Sequence, residues 1–381
     1  MRRLPLALVL LAAGCLGDPG DEPADPEDQD FTGDKADGFC VDAVSDDAAG
    51  LLDLVNDAAV TLEMLDDARS DGGAGLQVDA ARGIVEGRPF ADLAAIDAVP
   101  FVGVRTCEAL RAFACDVRHR CAPPLTVLSW NVEQFPLAEP TLDVVAGAIA
   151  ELAHPPDAIG FQEIRDTAAL EKLATELGDY EVHLGKSDGF TRVAVVTNRA
   201  RVRVDAVETL FPDDRDAFPR APVFAHLAVD AGDGTELPLL FAVVHLKAME
   251  DAASHTRRRE AVRLLRQALD ERAAAGERAA VAVGDWNDRL TDTGDGNVFG
   301  AFQSDDAYAF LTAPLAAAGD VSYIPLQTLI DHVLLSAAGR ETFVPRSTEV
   351  RHLDETIEGY TEVVSDHRPV VSELGLRPTA E

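Results

Sequence analysis

Long apolar runs are missing from this chain. None of its 381 residues begins a stretch of the roughly 18 that a membrane-spanning helix needs. Basic residues are scarce as well: 33 Lys and Arg stand against 67 Asp and Glu, a formal net charge of −34. A surface this acidic repels polyphosphate at long range, which excludes a protein that coats nucleic acid through a basic face. An enzyme that meets phosphate locally, through a cation, remains compatible with it, and so does plain solubility in salty surroundings. Aromatic side chains make up 6% of the chain, with 2 Trp and no Trp-rich hairpin. The 5 cysteines include no CxxC pair. What is present, 47% hydrophobic residues in a chain of this length, excludes a wholly disordered polymer and predicts one large or two modest domains.

Arg2 and Arg3 precede an apolar stretch over residues 4–13, the form of a secretory signal and too short to span and stay. The run Leu11-Ala12-Ala13-Gly14-Cys15 resembles a bacterial lipobox. That resemblance implies cleavage before Cys15 and acylation of Cys15; the alternative is an ordinary signal with a chance cysteine. Two acyl chains anchor firmly where one holds only marginally. Leu16, not Asp, follows the cysteine, which implies the outer membrane, on its periplasmic or its surface face. Residues 16–38 are rich in Asp, Glu, Pro and Gly and predict a solvated tether. Cys40, Cys107, Cys115 and Cys121 remain. In an exported chain an even number predicts two disulfides, with three pairings open, and a four-thiolate zinc site is the alternative.

A small all-α domain is expected over residues 39–121. Leu51, Leu52, Leu54 and Val55 with Leu62 and Leu65 form one helical face, Ala80, Ala81, Ile84 and Val85 a second, and Phe90, Leu93 and Ile96 a third. Val99-Pro100-Phe101-Val102-Gly103 separates the third helix from another over residues 106–113, with a Pro and a Gly bracketing a short turn. The segments LLDLVNDAAVTLEML, AARGIVEGR and FADLAAIDAVPFVGVRTCEAL resemble the tandem helix-hairpin-helix domain of competence-type DNA receptors. That likeness implies that the backbone N–H groups of Val102 and Gly103 hold a DNA phosphate. Three features depart from the family: Phe101 stands where the first hairpin glycine belongs, a Gly-rich insertion at residues 72–75 replaces the first hairpin, and few Lys or Arg lie nearby. A purely structural, disulfide-stapled role is the competing reading.

After Cys121-Ala122-Pro123-Pro124 the texture changes to short strands alternating with helices, an α/β domain over residues 125–377. Strands are expected at residues 125–130, 158–161, 192–197, 223–229, 239–244, 279–283 and 330–335, and helices near 142–152, 168–177 and 257–275. Polar residues collect at the strand ends: Asn131 after Trp130, Gln162 and Glu163 after Phe161, His245 after Val244, Asp285 and Asn287 after Gly284 and Trp286, Asp331 and His332 before Val333, and Asp366 and His367 before the last strand. Any one alone reads as a turn or core residue. Six clusters at successive ends predict a site along one edge of the sheet.

In order the clusters read NVE, QE, HLK, GDWND, IDH and SDHRP, a set that resembles the endonuclease/exonuclease/phosphatase superfamily. The resemblance implies a four-layer αββα sandwich and hydrolysis of phosphoesters with Mg²⁺ or Mn²⁺. It places Glu163 as principal metal ligand with Asn131 and Asp366 close by, and His367 as base, set in tautomer by Asp331. Asp285 with Asn287 would orient nucleophile or phosphate, family members differing over whether this Asp is the base, and His245 would donate to a phosphate oxygen. Arg192 and Arg220 match positions kept as Arg in many relatives, and either touch substrate or brace the site. Where pancreatic deoxyribonuclease has a Glu before an Arg to pair with its first His, this chain reads Phe190-Thr191-Arg192, so His245 is expected to lack that partner. The run Arg257-Arg258-Arg259 with Arg263 and Arg266 predicts a solvated helix face, with a phosphate patch as the alternative. The leading expectation is a monomeric, lipid-anchored nuclease acting on DNA. A phospholipid or sugar-phosphate hydrolase on the same scaffold is the second, and a non-catalytic DNA-binding protein the third. Scarce aromatics count against membrane-inserting sphingomyelinase-type loops.

Overall fold

The computed structural model describes residues 40, 46–118, 123–186, 189–231 and 235–376. The signal, Cys15, the tether and Cys121 lie outside them. Among the described residues five α-helices come first: α1 (Asp46–Asn56), α2 (Leu62–Asp66), α3 (Val78–Glu86), α4 (Leu93–Asp97) and α5 (Val104–Ala112). Leu51, Leu54, Leu65, Ala80, Ala81, Ile84, Ile96 and Leu110 meet in one apolar cluster, so the three sequence faces are the buried ones. Cys40 is disulfide-bonded to Cys107 with the Cα atoms 5.4 Å apart, and Cys115 is disulfide-bonded too. Cys40, Cys107 and Cys115 are thus held as disulfides and not as the thiolates that the zinc alternative needs.

Twelve strands follow among the described residues. β1 (Leu125–Phe135), β2 (Ala158–Ile164), β3 (Tyr180–Leu184), β4 (Arg192–Asn198), β11 (Phe343–Val350) and β12 (Val370–Leu376) make one sheet in the order β11-β12-β1-β2-β4-β3. β5 (Val202–Thr209), β6 (Val223–Asp230), β7 (Glu236–His245), β8 (Ala280–Asp285), β9 (Tyr308–Phe310) and β10 (Asp331–Ser336) make the other, in the order β5-β6-β7-β8-β10-β9. Each sheet has one parallel pair near its middle, β1 with β2 and β7 with β8, and is otherwise antiparallel. The four strands absent from the sequence expectation, β3, β5, β9 and β11, are the four sheet edges. An edge strand buries less, and it tolerates the charges of β5 and the Pro345 of β11.

The layers follow from period-two alternation. Val127 of β1, Phe241 and Val243 of β7, Val281 and Val283 of β8, and Val333 and Leu335 of β10 meet in a cluster between the sheets. The intervening residues Leu128, Trp130, Ile159 and Phe161 pack outward against α6 (Thr141–Ala150) and α7 (Thr167–Leu177). Ala280, Ala282 and Leu334 pack outward beneath α8 (Ala252–Ala274). Central strands therefore bury both faces and read as continuous apolar runs, in the αββα order expected. At Gly160 the sheets approach closely: a Cβ there would lie 2.5 Å from a methyl of Val283 and 2.9 Å from one of Val243. α8 starts earlier than expected, because the Asp251 side chain caps it by accepting from Ala253 N and Ser254 N. No helix among the described residues is long and apolar enough to cross a membrane.

Candidate active site

The inward rows of side chains that fill the space between the sheets end, at one edge, in polar groups. In β7 the row Leu239, Phe241, Val243 ends in His245; in β8, Val281 and Val283 end in Asp285; in β10, Asp331 opens the row that continues with Val333 and Leu335. His245 pairs in register with Asp285, and Asp285 with Asp331. Alternation thus sets three ionisable residues side by side, and all are buried. Asn131, ending the inward row of β1, crosses between the sheets: its Nδ2 donates to Asp285 Oδ2 at 3.1 Å. Its Oδ1 accepts from Glu133 N at 3.2 Å. Before Asp285, Gly284 has φ +148, and a Cβ would stand 2.0 Å from the carbonyl oxygen of Val244. No other residue fits there, and the parallel β7–β8 pair depends on it.

Glu163 escapes the alternation. By parity it would point outward with Ile159 and Phe161, but its φ is +63, and the pairing of β2 with β4 shifts register between Phe161 and Ile164. This bulge re-aims the side chain into the cleft, where Oε2 accepts from Gln134 N at 3.2 Å and Oε1 lies 3.9 Å from His245 Nε2. Glu133 and Gln134 have positive φ as well, and Glu133 Oε2 accepts from Asp366 N at 3.1 Å. Burial, then the neighbouring carboxylates, raise Glu133 and Asp366 above the usual carboxyl range: Asp366 and Glu163 act on Glu133, and Glu163 on Asp366. Three carboxylates that repel one another at the mouth of a cleft are relieved by a divalent cation, and an all-oxygen donor set suits Mg²⁺ or Mn²⁺. Asp285, Asp331 and His367 also offer ligand atoms within 4.8 Å of one another, but deeper, and with Asp331 and His367 already bonded together.

That bond is a close one. His367 Nδ1 meets Asp331 Oδ2 at 2.8 Å, while Nε2 lies 3.8 Å from both Asp285 Oδ2 and Asp366 Oδ1. Burial by itself would lower the His367 imidazole; Asp331 and Asp285 overcome it and raise it to about 10. Burial, aided by Asp331 and opposed by His367, pushes the Asp285 carboxyl up to about 7. His245, its Nε2 3.4 Å from Asp285 Oδ2, is driven well below 6.5 by burial and then by the charges of Arg220 and His367. Its Nδ1 is buried without a hydrogen-bond partner, in keeping with the missing Glu. The Tyr323 ring lies against His367, centroids 4.7 Å apart.

The cleft, about 400 Å³, is lined by Glu163, Arg220, His245, Asp285, Asn287, Asp366 and His367 among the expected residues, and also by Glu133, Gln134, Met249, Tyr323 and Leu326. Asn131 and Asp331 stand behind it, and Arg192, at the start of β4, is not among its lining. Asn287, with φ +53, donates its N–H to Asp285 Oδ1 at 2.9 Å and its Nδ2 to Leu246 O at 3.2 Å. Val102 and Gly103 lie in the helical module: Val102 N–H donates to Val99 O at 3.2 Å, and Gly103 caps α5. Glu133 was legible only as the last letter of the NVE triplet; Tyr323 and Leu326 had no signal at all. The arginines of α8 are neither a phosphate patch nor wholly a solvated face. Arg257 donates to the carbonyls of Arg215 and Asp216, Arg263 pairs with Glu260, Arg266 with Asp270 and Asp305, and Arg258 is buried against Asp288.

A model of the Endonuclease/Exonuclease/phosphatase family matches residues 128–367. No curated protein matches the chain. Among solved structures, the human Nocturnin catalytic domain with a bound sulfate anion is 18% identical at a TM-score of 0.51, over 67% of this chain and 95% of that one. TDP2 of D. rerio, humanised by 14 mutations, is 18% identical at 0.50, over 66% and 98%. TDP2 of C. elegans is 13% identical at 0.50, over 95% and 99%. At these identities the likeness is one of fold.

Proposed function

The chain belongs to the endonuclease/exonuclease/phosphatase family and is a metal-dependent phosphoester hydrolase; from that premise we propose that it is a phosphodiesterase acting on nucleic acid, DNA foremost. The observation that carries the reading is the meeting of Glu163, Asp285, His245, Arg220, Asp366 and His367 on one open cleft, with Asp331 behind His367. Glu163 and Asp366, joined by Glu133, would hold the cation, and Asn131 braces Asp285 beside them. When bound, a divalent cation polarises a phosphoryl oxygen and offsets the charge that develops on the leaving oxygen.

The remaining steps belong to the protein. Asp285, fixed by Asn131 Nδ2 and the Asn287 N–H, orients and deprotonates the attacking water; a carboxyl at about 7 is matched to proton transfer at neutral pH. His367, at about 10, keeps its proton and donates from Nε2 to a phosphate oxygen. On this reading Asp285, the alternative base that the sequence resemblance left open, serves in place of His367. The two groups share a field, so their protons come off as those of a pair. His245, neutral and with its proton on Nε2, donates from that atom to a second oxygen, and Arg220 offsets the phosphate charge.

Nucleic acid is favoured over a small sugar ester by the cleft wall. Met249 and Leu326 line it and remain 67% and 55% exposed, apolar faces that fit a base and not a polyol. The helix-hairpin-helix likeness points the same way, with export and a lipid anchor at Cys15 resting on the sequence. The net charge of −34 opposes a polyanion, so turnover should depend on salt and metal to screen it. The test is a substrate panel with Mg²⁺ or Mn²⁺: plasmid, thymidine 5′-p-nitrophenyl phosphate, a phosphocholine ester and a sugar phosphate. Nicking of plasmid that disappears in Glu163→Ala and His367→Ala supports the reading. Release of phosphocholine or inorganic phosphate with plasmid intact refutes it.

A further inference from the structure

Arg258 is 1% exposed, and a guanidinium stays buried only if its charge and donors are satisfied. It sits in the first half of α8 and reaches both loops that form one wall of the cleft. Its Nε donates to Asp288 Oδ2 at 2.7 Å, and its Nη1 donates to Lys247 O and Met249 O, each at 2.7 Å. Lys247 and Met249 belong to the loop after β7, which supplies Ala248, Met249 and Glu250 to the cleft, and Asp288 follows Asn287 in the loop after β8. Asp288 is itself gripped from the other side, where its carbonyl oxygen meets His332 Nε2 at 2.9 Å. Both loops hold a residue in the left-handed region, Met249 at φ +86 and Asn287 at φ +53. Side chains such as these keep that conformation only where their surroundings over-determine it.

We propose that Arg258 is a positioning residue for phosphoester hydrolysis: from one helix it fixes the Lys247–Glu250 loop and, through Asp288, the Asn287 N–H that orients Asp285. This rests on the reading of the cleft given above. A buried ion pair can usually be replaced by apolar side chains of similar volume with little loss of stability. A merely structural Arg258–Asp288 pair would therefore be dispensable for turnover. A positioning pair would not, because no apolar side chain donates to the Lys247 and Met249 carbonyls.

The experiment compares the full chain with Arg258→Met/Asp288→Leu and with Arg258→Lys, which keeps the charge but not the three-way fork. Three quantities are read with Mn²⁺: kcat and KM on thymidine 5′-p-nitrophenyl phosphate, the melting temperature, and amide exchange at residues 247–250 and 287–289. The double variant is expected to melt cooperatively and lose about 30-fold or more in kcat, with KM within about threefold of the parent. Exchange should quicken at both loops together, and Arg258→Lys should recover part of the loss in kcat. A well-folded double variant with kcat within twofold and unchanged exchange overturns the proposal. Should the variant fail to fold, Arg258→Lys decides it, since full activity and native exchange in that variant also overturn it. A parent chain that hydrolyses no phosphodiester refutes the proposed function instead, and exchange at the two loops still tests whether Arg258 holds them.

Discussion

Replacing Asp331 by Asn separates the geometry of the His367 pair from its charge. The amide can still accept from Nδ1 across the 2.8 Å gap, so the ring stays in place, but the carboxylate that does most to hold His367 at about 10 is gone. In the parent, activity should rise with pH as Asp285 loses its proton near 7 and fall as His367 loses its own near 10. This is a bell whose two limbs belong to the coupled pair. Without Asp331 the imidazolium is less favoured, so His367 deprotonates earlier and the falling limb moves down by about 1–3 units, the usual effect of one adjacent opposite charge. Asp285 loses a repelling neighbour, so the rising limb moves down as well. A His367 lowered by that much from about 10 is still at least about half protonated at pH 7, so the variant should lose no more than about twofold in kcat/KM there, and the deficit should widen as the pH rises. The assay is kcat/KM on thymidine 5′-p-nitrophenyl phosphate from pH 5 to about pH 10.5, with Mn²⁺ held saturating. A variant whose falling limb stays with that of the parent would refute the account of His367 as a donor charged by Asp331.

Glu163→Gln should weaken Mn²⁺ binding by about a hundredfold or more, since loss of even a residue behind a ligand costs about 10–100-fold; calorimetry showing an unchanged affinity would remove Glu163 from the cation site. His332, fully buried between Thr312 and the Asp288 carbonyl, is lowered by burial from 6.5 to about 4. Its contribution is complete above pH 6.5 and is lost as the pH falls toward 4, about 3 kcal/mol in all. Urea unfolding of His332→Gln at pH 7 and at pH 4.5 should show a correspondingly smaller acid loss than the parent, and an equal loss in both contradicts the argument. Gly284→Ala should cost at least about 2 kcal/mol, because the new Cβ meets the Val244 carbonyl in a backbone conformation that L residues avoid; parental stability in urea would show that the two strands can part there. Reducing the Cys40–Cys107 bond, which spans 67 residues, should destabilise the helical module by about 4 kcal/mol on the loop-entropy relation, read as a fall in the guanidinium midpoint of its helical signal.

The polar edge of the cleft was legible because the rows of β7, β8 and β10 alternate regularly. A row such as Val281, Val283, Asp285 points one way, so a polar residue ending it has to face whatever ends the rows beside it, and His245 and Asp331 do. Central strands were legible for the same reason, being apolar on both faces, whereas the edges β3, β5, β9 and β11 were not. Glu163 illustrates the limit. Its place in the QE pair marked it, but parity would have sent it outward, and only the positive φ at the bulge brings it into the cleft. Arg258 was hidden for the opposite reason. Within a run of three arginines its helical position looked solvated, and nothing local indicates that Asp288, 30 residues on, waits beneath it. Tyr323 and Leu326 come from a connection without periodicity, so their approach to His367 and to the cleft wall is a tertiary outcome. Arg192 had a family position but no geometry behind it, and the structure keeps it off the cleft lining.

The central claim is that one cradle holds both a divalent cation and the phosphorus under attack. Bound Mn²⁺ reports on that directly, by its paramagnetic broadening of the ³¹P resonance of a slowly cleaved dinucleoside phosphorothioate. Strong broadening with the parent chain, abolished in Glu163→Gln while nucleotide binding persists, is the predicted result. A phosphorus signal that stays sharp with both Mn²⁺ and nucleotide bound would place the two at separate sites and contradict the account.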